Sequence, residues 1–99
     1  MTAVQYEESQ TELEVSERKF RSACTQINIL NKQLEEVKAR YQQAKLDNFH
    51  RFRYNLRLKL AVVEGVRNMY YEYAHVQAEE VARLRYRIYG EVITVSSGQ

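Results

Sequence analysis

Two acid–histidine pairs, Asp47 with His50 and Glu72 with His75, are spaced so that each pair would share one turn of a helix. Carboxylate and imidazole ligands at that spacing are the parts from which helical bundles assemble di-metal centres. Such centres also need bridging carboxylates that point inward. On the heptad register expected for the second half of the chain, Glu72 and His75 face solvent, so neither a metal site nor a cofactor is expected. Cys24 is the only cysteine, which excludes an intrachain disulfide. No histidine stands near it in sequence to activate a thiolate, and a semi-buried structural thiol is the expectation. The chain has no Gly-rich phosphate loop, Ser-centred elbow or zinc-ligand cluster. These residues point away from an enzyme.

The next chemistry is cationic. Between Lys38 and Arg67 lie eight bases and two acids, with Phe49, Phe52 and Tyr54 interleaved. Arg51, Arg53, Arg57 and Lys59 are the candidate polyanion contacts, since clustered cations bind phosphates and aromatic rings stack on bases. Charge is laid out unevenly around this segment. Residues 1–37 hold seven acids and four bases, net −3; residues 38–69 are net +6; residues 70–99 hold four acids and three bases, net −1. A basic middle between acidic ends suits antiparallel pairing or a polyanionic partner. The plainer reading places Phe49 and Phe52 in a core and pairs the cations with Glu12, Glu14 and Glu17. An anionic membrane would also attract these cations beside Tyr54 and Leu58. That match is weaker, and a membrane partner is not expected.

Tyrosine is frequent, eight in 99 residues, and Tyr70, Tyr71 and Tyr73 cluster. Tyrosine joins a large contact area to a polar tip, which favours protein interfaces. These three are the candidate partner-binding residues.

All these groups must be positioned by helices. Tyr6, Leu13, Phe20, Ile27, Leu34 and Tyr41 recur every seven residues, and Ser9, Ser16, Ala23, Leu30, Val37 and Ala44 stand three further on. Such a heptad predicts a coiled-coil helix over 6–46, after a frayed 1–5 in which Thr2 is a candidate N-cap. Proline is absent and glycine scarce, so helix breakers are few. A long stripe on so short a chain must fold back on itself or meet another chain. Leu13, Phe20, Ile27, Leu30, Leu34, Val37 and Tyr41 are therefore the expected oligomer interface. Acids come early along its flanks and bases late, which favours antiparallel packing.

Asp47 and Asn48 break the register. A second helix is expected over 47–89, with Asp47 or Asn48 as its N-cap. Its seam is expected at Phe49, Phe52, Leu56, Val63, Val66, Tyr70, Tyr73 and Leu84, interrupted by Lys59, Gln77, Glu80 and Arg87. The apolar face is wider than one seam, because Leu60, Val62, Met69, Ala74, Val76, Val81 and Ile88 add to it. A face this wide meets more than one helix. A homodimer of hairpins, making a four-helix bundle, or a tetramer would satisfy it. Arg51 to Leu60 and Arg83 to Ile88 alternate polar and apolar residues, so an α+β alternative puts strands at 51–60 and 83–95. Gly90 is expected to end the second helix, followed by an extended or disordered tail over 90–99.

The expected protein is therefore an all-α helical hairpin that self-associates. Its expected role is protein–protein interaction and oligomerisation, as an adaptor, scaffold or regulatory subunit. The alternative is a nucleic-acid-binding module using 38–67. The longest apolar run, Leu60–Val63, is far short of a membrane span. With one cysteine, no signal peptide and no glycosylation sequon, the expected setting is intracellular and cytoplasmic.

Overall fold

The computed structural model describes residues 2–90. Helix α1 spans Ala3–Leu46, helix α2 spans His50–Arg85, and a π-helical turn follows at Tyr86–Gly90. The protein is an all-α helical hairpin, with no strand among the described residues. The strand alternative fails at 51–60 and at 83–88, because Leu, Arg and Lys favour helix and no turn residue separates these stretches from their neighbours. Residues 91–95 of that alternative, and the tail beyond Gly90, lie outside the described residues.

Helix α1 begins with a reciprocal cap. The Gln5 N–H donates to Thr2 Oγ1 at 3.2 Å, and the Thr2 N–H donates to Gln5 Oε1 at 3.0 Å. This capping box satisfies two backbone donors that the first turn would otherwise leave open. No glycine or proline interrupts the next four dozen residues.

The helix ends as deliberately as it begins. Asn48 is left-handed, with φ of 59°. The Phe49 N–H reaches the Ala44 carbonyl at 3.0 Å, and the Asn48 N–H reaches that of Lys45 at 3.4 Å. These two bonds form a Schellman motif, which asparagine tolerates better than most residues. Neither Asp47 nor Asn48 caps α2. Asn48 instead terminates α1, and the Asp47 carboxylate accepts from Gln43 Nε2 at 3.0 Å. The first α2-type bond runs from the Arg53 N–H to the Phe49 carbonyl, 2.8 Å, so Phe49 holds the cap position without a capping side chain.

The chain divides into two compact units. The first, Ala23–Glu72, contains the turn and one arm of each helix. Its α1 arm buries Ala23, Ile27, Leu34, Val37 and Ala44, and half-buries Leu30 and Tyr41. Val37 and Ala44 pack with Leu56 of α2, flanked by Tyr41 and Leu60. The second unit joins 2–22 to 73–90. Leu13 packs there with Leu84 and Ile88, both fully buried, and Val81 lies against them. Ser9 and Ser16 are also buried in this unit.

On α1 the buried edge is the expected heptad from Ser9 to Ala44, while Tyr6, expected at its start, is exposed. On α2 the buried edge departs from the expected seam. The described burial runs Leu56, Leu60, Val63, Arg67, Tyr70, Ala74, Gln77, Val81, Leu84 and Ile88, in alternating steps of four and three. Leu56, Val63, Tyr70, Gln77 and Leu84 were expected there. The intervening positions fall one residue later than expected. Phe49, Phe52, Val66 and Tyr73, expected in the seam, are exposed. Gly90 is not a left-handed helix stop. It is the last residue of the π turn, where an added Cβ would touch the Tyr86 ring at 3.6 Å.

Candidate functional site

The α1 stripe expected to form the oligomer interface faces inward. Leu13, Ile27, Leu34 and Val37 are buried, and Phe20, Leu30 and Tyr41 are half-buried. The hairpin leaves Val4, Val15 and Ile29 of α1 exposed, and on α2 it leaves a continuous row open. In the unit Ala23–Glu72, Leu58 is 51% exposed, Val62 65%, Val66 37% and Met69 70%. At about 100° per residue these four fall within roughly 80° of one another, centred about 120° from the buried seam. They form a second apolar edge on the same helix. Phe52 lies at its margin, exposed as well. In the other unit, Tyr73 and Val76 of α2 are exposed too.

The three clustered tyrosines part company, as successive residues on a helix must. Tyr70 turns into the seam, half-buried. Tyr71 is exposed, with its hydroxyl accepting from Asn31 Nδ2 at 3.5 Å. Tyr73 belongs with the exposed residues of the other unit.

Beside Tyr71 sits a group that the sequence marked only as the last cation of the basic segment. Arg67 occupies a seam position of α2, where its neighbours two turns away are aliphatic. Its guanidinium lies 5.5 Å from the Tyr71 ring centroid. Nη1 donates to Asn31 Oδ1 at 3.5 Å and Nη2 to Asn68 Oδ1 at 3.4 Å. The Nε is buried without a partner. These bonds are at the long end of the range, and no carboxylate joins them, so the guanidinium is held mainly by the ring. The signal available in the sequence was its position: Arg67 stands four residues after Val63.

The basic segment is divided between faces. Arg53 and Arg57 line a groove of about 210 Å³ with Tyr41, His50 and Tyr54. Arg51 lines a different one, with Phe49 and Phe52. Arg53 Nη2 lies 3.3 Å from His50 Nδ1. Among the described residues, Arg51, Arg53, Arg57 and Lys59 form no ion pair. Of the three acids expected to serve them, Glu17 is engaged elsewhere, accepting from Arg85 Nη2 at 2.9 Å.

The acid–histidine pairs do not converge. Glu72 is exposed, and His75 pairs instead with Glu79 at 2.9 Å. No group of three or more metal-ligating side chains forms among the described residues. Cys24 is a free, half-buried thiol. The hydrogen bond from Arg83 holds the Glu80 carboxyl below its ordinary range, and Glu80 in turn raises Arg83. No helix is long and apolar enough to cross a membrane among the described residues.

No protein family, curated protein or solved structure matches this chain.

Proposed function

We propose that the protein is a coiled-coil interaction module, in which the hairpin presents the outer edge of α2 to another protein. The observation that supports this is the exposed row Leu58, Val62, Val66 and Met69. Contiguous exposed apolar surface is a mark of protein interaction sites, whereas single exposed apolar residues are ordinary. Binding, not catalysis, is the role this reading assigns. A reducing, cytoplasmic setting suits the single half-buried Cys24.

Photo-crosslinking in cells tests the reading. A photoreactive residue at Val62 or Met69 should yield protein adducts, and one at Glu36 on the outer side of α1 should not. Equal yields from both helices, or none from either, would sink it.

A second reading, nucleic-acid binding through 38–67, is favoured by the absence, among the described residues, of acidic partners for Arg51, Arg53, Arg57 and Lys59. Their division between two faces weighs against one continuous phosphate track. Anisotropy of a labelled oligonucleotide discriminates. Affinity should fall steeply with salt and vanish when Arg51, Arg53 and Arg57 become Glu. An unchanged affinity in that variant removes this reading.

A further inference from the structure

We infer that the groove between Tyr41 of α1 and the first two turns of α2 binds a phosphate monoester, gripped by Arg53 and Arg57. The inference is independent of both readings above. All its residues belong to the unit Ala23–Glu72.

Placement comes first. His50, Arg53, Tyr54 and Arg57 follow one another at steps of three, one and three along α2. That spacing puts them on one helical face. Tyr41 of α1 forms the other wall, and the groove holds about 210 Å³. Each polar side chain that lines it can donate a hydrogen bond: two guanidinium forks, two phenol hydroxyls and an imidazole. No carboxylate lines it. Arg53 Nη2 lies 3.3 Å from His50 Nδ1. In the tautomer that accepts this bond the ring proton sits on Nε2, which is one more donor.

The charge around the groove is unbalanced. From Val37 to Leu46, α1 carries Lys38, Arg40 and Lys45 and no acid. From His50 to Val63, α2 carries Arg51, Arg53, Arg57 and Lys59 and no acid. Asp47 stands between these stretches, and its carboxylate accepts from Gln43. Elsewhere the chain pairs its arginines, Arg83 with Glu80 and Arg85 with Glu17. Among the described residues, neither Arg53 nor Arg57 has such a partner. Arg53 is also half-buried. A guanidinium that gives up water without meeting an anion forgoes its strongest bonds.

A phosphate monoester supplies them. It brings close to two negative charges and three acceptor oxygens, which paired arginine forks match. The rings of Tyr41 and Tyr54 then flank the ester arm. A phosphodiester offers one charge and two free oxygens, and its chain must run on to further cations. Arg51 lines a different groove, so such a chain finds no continuous track. A single terminal phosphoryl group needs none.

Titration of the full chain with phenyl phosphate, followed by calorimetry and by NMR shifts, reads the site. Inorganic phosphate and the diester methyl phenyl phosphate are the comparisons. Phenyl phosphate should saturate, move the signals of Tyr41, His50, Arg53 and Tyr54, and bind about tenfold or more tighter than the diester. Arg53→Gln and Arg57→Gln should each weaken it about tenfold or more, since each removes bonds to a charged group. Arg51→Gln should change the affinity less than about twofold, because solvent and salt screen a charge that lies outside the groove. Helical circular dichroism checks each variant. Arg57 is exposed, so its variant decides the matter even where Arg53→Gln unsettles the hairpin. Inorganic phosphate that binds as tightly, with the same dependence on Arg57, would uphold the phosphoryl site and remove the rings from it. Equal affinity for the diester, an equal loss in Arg51→Gln, or no saturable change in the parent chain would overturn the inference.

Discussion

The two helices of the hairpin differ in how much of themselves they settle. Helix α1 is capped at both ends, by the Thr2–Gln5 box and by the Asn48 Schellman turn; Leu13, Ile27, Leu34 and Val37 line its buried edge, while Val4, Val15 and Ile29 are scattered in the open. Helix α2 starts at His50 after Phe49, which offers no capping side chain, and carries two apolar edges, one buried and one open. Residues of similar type, Leu56 and Leu58 for example, stand two positions apart and meet opposite fates. The difference teaches that hydrophobicity alone does not choose a seam. A partner chooses it, and within one chain α1 can cover only one side of α2.

The widest separation between the two edges should appear in truncation. Leu84→Ala should destabilise the hairpin by about 2–5 kcal/mol, because a fully buried leucine leaves a cavity. Leu58→Ala, measured by urea unfolding of a dilute sample, should stay within about 0.5 kcal/mol. Comparable losses at both sites would erase the distinction between the edges.

The contrast in capping is tested at Asn48. Asn48→Ala should cost about 1–2 kcal/mol, since alanine lacks the local hydrogen bonding that eases the left-handed conformation. Asn48→Gly should restore or exceed the parent stability. If alanine is tolerated in full, the turn does not depend on that conformation.

Arg67 is the place where the buried edge of α2 is imperfect. Replacing it by leucine should raise the unfolding free energy by about 1 kcal/mol, because an unpartnered N–H leaves the seam. A loss of stability instead would show that the ring contact with Tyr71 outweighs that burial.

The smallest effect is electrostatic. Glu80 has a lowered folded pKa, so its pair with Arg83 stabilises the fold above the carboxyl's unfolded pKa. That contribution disappears as pH falls through the lowered value. Thermal melts of parent and Glu80→Gln should therefore differ slightly at neutral pH and converge in acid. A difference that grows on acidification would reverse the sign assigned here.

Much of this architecture was legible in the residues. The α1 heptad named its buried edge from Ser9 to Ala44, because large apolar and small residues alternate there at a steady spacing; only Tyr6, in the first turns, stays exposed. The break at Asp47–Asn48 was legible too, though not its mechanism: asparagine serves both as a helix start and as a left-handed stop. On α2 the column Leu56, Val63, Tyr70, Gln77 and Leu84 was legible and its companion was not. Phe52, Val66 and Tyr73 look more like core than Arg67 or Ala74 do. Two edges that flank one column both satisfy a heptad, and periodicity cannot say which one a neighbour covers. The tyrosine cluster divides for a related reason, since nearness in sequence scatters side chains around a helix: Tyr70 turns inward, and Tyr71 and Tyr73 stay exposed. No linear signal revealed the Arg67–Asn31–Tyr71 contact, which joins residues far apart in the chain.

The Asn48 turn also sets an order of events in folding. Ala44 and Leu56 enclose a loop of about a dozen residues, whereas Leu13 and Ile88 enclose about 75. Closing the longer loop first would carry roughly 1.6 kcal/mol more entropy loss than closing the shorter one. The chain should therefore zip from the turn outward, with Leu56 structured in the transition state and Leu84 joining late. A φ-value near zero at Leu56 beside a high one at Leu84 would contradict this. On this account the left-handed asparagine acts on the folding rate as well as on the final structure, as the hinge from which the two helices close.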